Sequence, residues 1–481
     1  MSLLVILYIY FVSFLDKPEK SAPALSPRAV EQRAKWHIPT DEMDYPVSPL
    51  YLDSLRKMGA KVHHTSRWFN GATVEMDDAT AAKVENLGFV TAVEMTRDES
   101  GSLYSQRKRA VTATGSKSEV SRQLSAVRNQ LSEVRYTDQQ LALYNLTPLH
   151  DLGYEGQGIL MTVCDGGFTN ANTMGCFRQT QELGHFDFTD DIDDFYGNTG
   201  DHGSECLSAI SGIQNGYYGA ATKADYYLMR SEEYATESPK EMDNLVAALE
   251  KADSLGVNVF SVSLGYAQFD NSIWNLNKRK DLDGKTTRVS RAATIAARKG
   301  MLVCAAAGND GDVAWRTISA PCDADSILTV GAVRTDSVAA DFSSYGPTSD
   351  GRIKPEVCAV GVKTVLINPF SNAIVQSNGT SFATPLLAGM AASLWSALPD
   401  KNAMQIRDLI IQSAHLYPSH DPNNQMGYGI PNAWVAYTMG LGENLTPTLS
   451  PREGVKLLQD GQIYILRGGK RYDLLGKELG F

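Results

Sequence analysis

Cysteine pairs of the C-x-x-C type are missing from the sequence, although it contains six cysteines. Zinc ribbons and thioredoxin-type redox sites depend on such pairs, so both are excluded, and no metal site built on thiols is expected. Three cysteines lie in apolar runs typical of buried thiols, and the other three could pair in an oxidising compartment. The first set is Cys164, Cys304 and Cys358, and the second is Cys176, Cys206 and Cys322.

An excess of positive charge is also missing. The chain has 44 Lys and Arg residues against 55 Asp and Glu residues, and its formal net charge is −11. Proteins that bind nucleic acid carry a basic surface, so nucleic acid is not expected as a partner. The one dense basic cluster, residues 106–110, lies in a polar stretch where a linker is expected.

The apolar run near the start is too short to span a membrane comfortably. Residues 3–15 read "LLVILYIYFVSFL", which is about the length of the hydrophobic segment of a signal peptide. This length predicts a signal-like segment over residues 1–20 and export of the protein. No basic residues precede the run and no A-x-A-like cleavage site follows it, and an uncleaved membrane anchor is the alternative.

The length of 481 residues leaves room for one large domain with accessory pieces. Residues 46–96 alternate between helical and strand patterns and predict a small α+β unit. Residues 97–135 are rich in Ser, Lys, Arg, Gln and Thr, which predicts a polar linker open to proteolytic processing.

Residues 136–440 alternate between apolar strands and amphipathic helices, a pattern typical of a largely parallel sheet with helices on both faces. In such sheets the reactive crevice lies beyond the carboxyl ends of the strands. The clearest strands are at 158–165, 224–230, 257–265, 301–308 and 326–333, and helices that end in glycine are at 239–256 and 286–300.

The last residues, 454–481, have a different pattern. Short alternating strands are joined by Asp460-Gly461 and Gly468-Gly469, which are hairpin turn signals. They predict a small β appendage that is too short to be stable alone.

Four polar residues lie at ends of predicted strands or at starts of predicted helices, where the reactive crevice of an α/β sheet is expected. Asp165 ends an apolar strand, His202 opens a helix, Asn309 ends another strand, and Ser381 begins a long apolar helix. Each alone has a structural alternative: a turn aspartate, a capping histidine, a Gly-Asn turn and an N-cap serine. Their occurrence together, in the order Asp, His, Asn, Ser, predicts an active site.

Short motifs surround these residues: "VCDGGF" around Asp165, "DHGS" around His202, "SVSLG" at 261–265, "AAAGN" at 305–309 and "NGTSFATP" at 378–385. These motifs resemble those of the subtilisin-like serine proteases, over about residues 146–436. The resemblance implies an α/β fold with a doubly wound, mostly parallel sheet of the subtilisin type, a small α+β N-terminal pro-domain and a short C-terminal β hairpin.

The resemblance also implies a role for each residue. Ser381 is expected to be the nucleophile, His202 to exchange its proton, and Asp165 to orient the imidazole. Asn309 is expected to donate to the oxyanion. Residues expected to bind substrate are Ser263, Leu264 and Gly265 along an extended peptide, and Ala306, Ala307 and Gly308 as one wall of the first specificity pocket.

A serine endopeptidase made as a zymogen is therefore expected, secreted or at the cell surface, with protein or peptide substrates. Residues 46–96 would be its inhibitory pro-region and residues 454–481 a sorting signal. No cofactor is required, and calcium binding is left open. The motif departs from the family pattern after His202, where Gly-Ser-Glu replaces the usual Gly-Thr-His. A non-enzymatic peptide-binding module and an esterase or peptide ligase are the alternatives.

Overall fold

The computed structural model describes most of the chain. Described are residues 7–19, 21–98, 136–189, 194–197, 200–233, 236–418 and 421–442, with the backbone of four strands between 455 and 479. The predicted linker, residues 97–135, lies outside this part except for Arg97 and Asp98.

An N-terminal α+β domain comes first. Its antiparallel sheet has the order β2-β3-β1-β4, and helices pack on the sheet around a small apolar core. The strands are β1 (Tyr8–Phe14), β2 (Lys61–Ser66), β3 (Gly71–Met76) and β4 (Val90–Arg97), and the helices are α1 (Pro27–Lys35), α2 (Pro49–Lys57) and α3 (Asp78–Val84).

The apolar run near the start is a central strand of this sheet, so its interpretation as a signal-like segment or membrane anchor is wrong. β1 pairs with β3 on one side and with β4 on the other. Its aromatic and β-branched residues suit a strand, and Val12 is completely buried. The pattern misled because a strand buried on both faces is apolar throughout, like a signal segment. The α+β domain thus begins well ahead of residue 46.

The main domain is built on seven parallel strands, which confirms the predicted α/β class. The sheet order is β13-β12-β11-β10-β5-β9-β6, and every neighbouring pair is parallel. The strands are β5 (Leu160–Asp165), β6 (Gln181–Asp187), β9 (Asp225–Arg230), β10 (Val259–Val262), β11 (Leu302–Ala306), β12 (Leu328–Val333) and β13 (Val357–Val360).

Helices cover both faces of this sheet, and two short antiparallel pairs lie beside it. The helices are α4 (Asp138–Ala142), α5 (Thr147–Asp151), α6 (His202–Ser211), α7 (Pro239–Leu255), α8 (Arg288–Arg298), α9 (Thr380–Ala397), α10 (Ala403–Gln412) and α11 (Ala433–Gly440). The pairs are β7 (Ile213–Gln214) with β8 (Tyr217–Tyr218), and β14 (Thr364–Ile367) with β15 (Ile374–Ser377).

The sheet divides the apolar core into two layers. Helices α6 and α9 pack on one face, and α7 and α8 pack on the other. Helix α9 is buried along nearly its whole length, which explains why its sequence is apolar without a polar face. Among the described residues, no helix combines enough length and apolar character to cross a bilayer.

The N-terminal domain docks on helix α7 through the turn between β2 and β3. Glu250 of α7 accepts hydrogen bonds from Ser66 Oγ (2.5 Å) and from the backbone N–H of Arg67 (2.8 Å) and Trp68 (3.3 Å). Arg67 also donates to Asp253 at 2.6 Å. The Trp68 indole is buried within the apolar core of the main domain. One turn thus supplies both polar and apolar contacts.

Residues near the C-terminus form a separate antiparallel sheet in the order β16-β17-β18-β19. The predicted turns at 460–461 and 468–469 lie outside the described residues, between successive strands of this sheet. The strands are β16 (Val455–Gln459), β17 (Gln462–Arg467), β18 (Lys470–Tyr472) and β19 (Glu478–Leu479).

The position of β1 predicts different effects for two substitutions in the same apolar run. Val12→Asp places a charge in a fully buried site and is expected to destabilise the N-terminal domain by about 3 kcal/mol or more. Leu15→Asp is the control, because Leu15 is 65% exposed and should tolerate the charge. Hydrogen–deuterium exchange of the β3 amides in the full chain measures the stability of the N-terminal domain in both variants, and protection should be lost only in Val12→Asp. Equal protection in the two variants would contradict the strand assignment.

Candidate active site

The candidate site lies at the carboxyl ends of three adjacent strands, β11, β10 and β5. After β5 the chain continues to β6 and β9 on one side, and it then returns to β10 on the other. The boundary between β5 and β10 is therefore a topological switch point, where the crevice of an open α/β sheet forms. Asp165 is the last residue of β5 and stands at this boundary.

Asp165 and His202 are directly hydrogen-bonded. The Nδ1 atom of His202 lies 2.8 Å from Oδ1 and 3.0 Å from Oδ2 of Asp165. The Asp165 side chain is 1% exposed, whereas the His202 side chain is 32% exposed. With Nδ1 facing the carboxylate, Nδ1 carries the proton and Nε2 is left as the basic atom.

A glycine permits this contact. His202 is the first residue of α6, and Gly203 follows it. A Cβ on Gly203 would overlap the carbonyl oxygen of Gly167 and lie 2.9 Å from Cβ of Asp165, closer than side-chain atoms pack. Only glycine lets the start of α6 approach the end of β5 this closely.

Ser381 lies on the same side of the sheet, at the start of α9. The helix begins at Thr380 and its N-cap is Gly379, which has a φ of 156°, so Ser381 is not the N-cap residue. Its Oγ donates to the carbonyl oxygen of Ser263 at 3.4 Å. Its own carbonyl accepts from Ser263 Oγ at 2.8 Å. These bonds fix the serine against the end of β10.

Cys206 joins the serine and the histidine. Its Sγ donates to the carbonyl oxygen of Ser381 at 3.3 Å and lies 3.8 Å from Nδ1 of His202. The ring of Phe382, next to Ser381, lies 5.3 Å from the imidazole. No hydrogen bond joins the Ser381 hydroxyl to His202 among the described residues, and the hydroxyl faces Ser263 instead.

The side-chain amide of Asn309 has a defined orientation. Its Oδ1 accepts from the backbone N–H of Thr380 at 2.9 Å and from the Thr380 hydroxyl at 3.0 Å. A backbone N–H can only donate, so the amide oxygen faces Thr380. The NH₂ group therefore points the other way and can donate to a ligand beside the start of α9.

The residues predicted to bind substrate lie around the same edge. Ser263, Leu264 and Gly265 follow β10, and the backbone of Leu264 and Gly265 belongs to no ladder of the described sheets. Their N–H and C=O groups can therefore pair with an extended peptide. Ala306 ends β11 and, like Ala307, is buried, while Gly308 has a φ of 110°.

A comparison with known families agrees with this geometry. The model of the subtilase family, peptidase S8, matches residues 156–429. The chain belongs to the subtilase family. A second model, the peptidase S8 propeptide domain of Bacteroidota, matches residues 9–113. The protein is thus a subtilisin-type serine protease with an N-terminal propeptide domain.

Individual relatives cover mainly the protease domain. Subtilisin DY of Bacillus licheniformis is 29% identical over 269 residues, which is 54% of this chain and 85% of that protein. Subtilisin BL of Lederbergia lenta is 27% identical over 289 residues, 60% of this chain and 93% of that protein. The solved structure of MycP1 from Mycobacterium smegmatis, 20% identical, matches with a TM-score of 0.50 over 64% of this chain and 86% of that chain, and this likeness shows the fold alone.

Cys206 and Thr380 are contacts of the subtilase site that sequence reasoning missed. Cys206 was expected as one of three cysteines that could pair in a disulfide, but all six cysteines are free and buried. Its position four residues after His202 on one helix was the available signal, because such residues share a helix face. Thr380 lies inside the serine motif, and its contact with Asn309 depends on the fold.

Two groups of described residues could hold a metal ion. One is the set Asp165, His202 and Cys206, which belongs to the candidate site described above. The other is Glu232, Glu237 and Glu241 in the loop after β9 and the first turn of α7, whose oxygens lie within 4.8 Å of one another.

The electrostatics of the subtilase site are dominated by the pair of Asp165 and His202. Burial lowers the pKa of His202, but Asp165, and to a lesser degree Cys206, outweigh it through charge and hydrogen bonding and hold the pKa well above its usual range. Burial also raises the pKa of Glu205, one turn along α6, to about 7, while the nearby imidazole opposes the rise.

These shifts predict the pH dependence of the subtilase. A general base must be neutral, so with His202 in its predicted role kcat/KM should rise with pH as His202 loses its proton, with a midpoint above about 6.5. In Asp165→Asn the carboxylate is gone and burial dominates, so the pKa of His202 should fall. Asp201→Asn is the control, since its side chain makes no cap hydrogen bond.

An NMR titration of the histidine ring protons in the full chain measures the pKa of His202 directly. A wild-type pKa below about 6.5, or one that Asp165→Asn leaves unchanged, would contradict the assigned electrostatics.

Proposed function

We propose that this subtilase hydrolyses peptide bonds through an acyl-enzyme on Ser381. His202 removes the hydroxyl proton with Nε2 while Oγ attacks the scissile carbonyl carbon, and Asp165 orients the imidazole and stabilises its cation. The hydrogen bond of 2.8 Å between Nδ1 of His202 and Oδ1 of Asp165 carries this proposal. It leaves the other ring nitrogen as the base.

The nucleophile must turn before it reacts. In this structure Ser381 Oγ donates to Ser263, and rotation about the serine side-chain bond frees the hydroxyl for Nε2 of His202. Catalytic hydrogen bonds commonly tighten only when substrate binds. The Ser381 backbone keeps its place during this rotation, because its carbonyl is bound by Ser263 Oγ and by Cys206 Sγ.

The tetrahedral intermediate needs donors for its negative oxygen. The NH₂ group of Asn309, directed away from Thr380, and the backbone N–H of Ser381 at the start of α9 are the proposed donors. The positive end of the helix dipole adds to this stabilisation. Collapse of the intermediate breaks the peptide bond as His202 returns the proton to the leaving amine, and water then hydrolyses the acyl-enzyme.

The substrate lies in an extended conformation along Ser263, Leu264 and Gly265, and it pairs as a further strand with the backbone groups of Leu264 and Gly265. Ala306, Ala307 and Gly308 form one wall of the proposed first specificity pocket, where their small size leaves room for the side chain before the scissile bond. The proposed substrates are proteins or peptides.

The N-terminal domain acts as an inhibitor until the chain is cut between residues 97 and 135. The contacts of Glu250 and Asp253 with the turn at residues 66–68, together with buried Trp68, support a tight complex. The zymogen is exported, and the mature enzyme works outside the cell or at its surface. The sheet at residues 455–479 serves as a sorting signal.

The test is active-site labelling of the full chain after processing. A serine-directed phosphonate should label wild type once per molecule at Ser381, and label Ser371→Ala equally, because Ser371 is an exposed serine of the β14–β15 turn. Ser381→Ala should be unlabelled and should not hydrolyse peptides. Mass spectrometry locates the label and a peptide-library digest measures hydrolysis. Folded, processed wild type that binds peptides without labelling or hydrolysis would instead favour a binding module.

A further inference from the structure

Arg97 and Asp98, here called the exit segment, lie at the end of the last strand of the N-terminal domain and contact the protease domain. Arg97 Nη1 lies 2.7 Å from Oε2 of Glu233. The next residue, Asp98, accepts a hydrogen bond from Asn271 Nδ2 at 2.7 Å. The two contacts hold successive residues of the exit segment against two different loops of the protease domain.

Those two loops border the catalytic cleft. Glu233 follows β9, and Asn271 follows β10 and the predicted substrate-binding residues 263–265. Strands β9 and β10 lie on either side of β5, whose last residue is Asp165. The exit segment therefore enters at the carboxyl edge of the sheet, between the loops that flank the active site.

The direction of the chain determines whether Arg97 lies upstream or downstream of a scissile bond in the linker. Arg97 is the first residue of the predicted processing region, residues 97–135. It therefore lies upstream of any bond that is cut within that region. When a bond beyond Asp98 lies at Ser381, the side chain of Arg97 is therefore upstream of the scissile bond. Glu233 thus contacts the position that an upstream substrate residue would take.

The surroundings of Glu233 favour a cation. Its side chain is 11% exposed, and its Oε1 pairs with the buried ammonium of Lys240. Three more carboxylates, those of Glu232, Glu237 and Glu241, lie close together in the same loop and the first turn of α7. Once the N-terminal domain leaves, Oε2 of Glu233 loses the guanidinium of Arg97 and is available to another cation, while Oε1 stays paired with Lys240.

We infer that Glu233 forms an acidic subsite that selects an arginine or lysine side chain several residues upstream of the scissile bond. Arg97 occupies this subsite in the zymogen, and a basic substrate residue replaces it in the mature enzyme. The inference rests on the proposed peptidase function. A planar guanidinium suits it best, because it can bind a carboxylate with two parallel hydrogen bonds.

The test uses mature wild-type enzyme, produced from the full chain, and a series of fluorogenic peptides. A single arginine is moved through the upstream positions, and each peptide is paired with one that has citrulline, which is uncharged and nearly the same shape. At one position kcat/KM should be about tenfold higher for arginine than for citrulline. The ratio should fall as salt is raised.

Glu233→Gln should bring that ratio close to one, because the rate for the arginine peptide falls to that of the citrulline peptide. Glu182→Gln is the matched control, because Glu182 also pairs with a basic side chain, His185, but lies on β6. If Glu233→Gln does not fold, because Lys240 loses its ion pair with Glu233, the rates of wild-type enzyme on the arginine and citrulline peptides still test the inference.

Equal rates for arginine and citrulline at every upstream position, with normal hydrolysis, would overturn the inference and leave the ion pair as a docking contact only. Absence of hydrolysis of all peptides would overturn the proposed function instead, so the two failures are distinguishable.

Discussion

The structure depends on the close approach of helix α6 to the end of strand β5. The hydrogen bond between His202 and Asp165 forms only because Gly203 has no side chain to keep the two elements apart. One turn further along α6, Cys206 contacts the carbonyl of Ser381 and so ties the start of α9 to the same helix. Parts of the chain that are far apart in sequence thus meet at one topological switch point.

Inhibition and substrate selection use the loops and helices around the same sheet. Helix α7 binds the N-terminal domain through Glu250 and Asp253, and the loop before α7 binds the exit segment through Glu233. Removal of the N-terminal domain therefore uncovers Glu250 and Asp253 on α7, and it frees Oε2 of Glu233 in the loop beside the cleft. Docking of the N-terminal domain and the proposed preference of the mature enzyme for a basic side chain thus both depend on carboxylates in α7 and the loop before it.

The sequence predicts much of this architecture because strongly apolar strands and motif residues carry local signals. Strands β5, β9, β10, β11 and β12 and helices α7 and α8 all lie within the predicted segments. Edge strand β6 was missed because it is polar and partly exposed, and β1 was misinterpreted because a strand buried on both faces resembles a signal segment. The contacts of Cys206 and the orientation of Asn309 are tertiary and have no local pattern.

The most direct test of the central constraint compares two glycine substitutions by their rate of phosphonate labelling at the active-site serine. Gly203→Ala should label at least about a hundredfold more slowly than wild type while the circular dichroism is unchanged, because the added Cβ displaces His202 from Asp165. Gly175→Ala, where a Cβ meets nothing within 4 Å, should label like wild type. Labelling of Gly203→Ala at the wild-type rate would contradict the account.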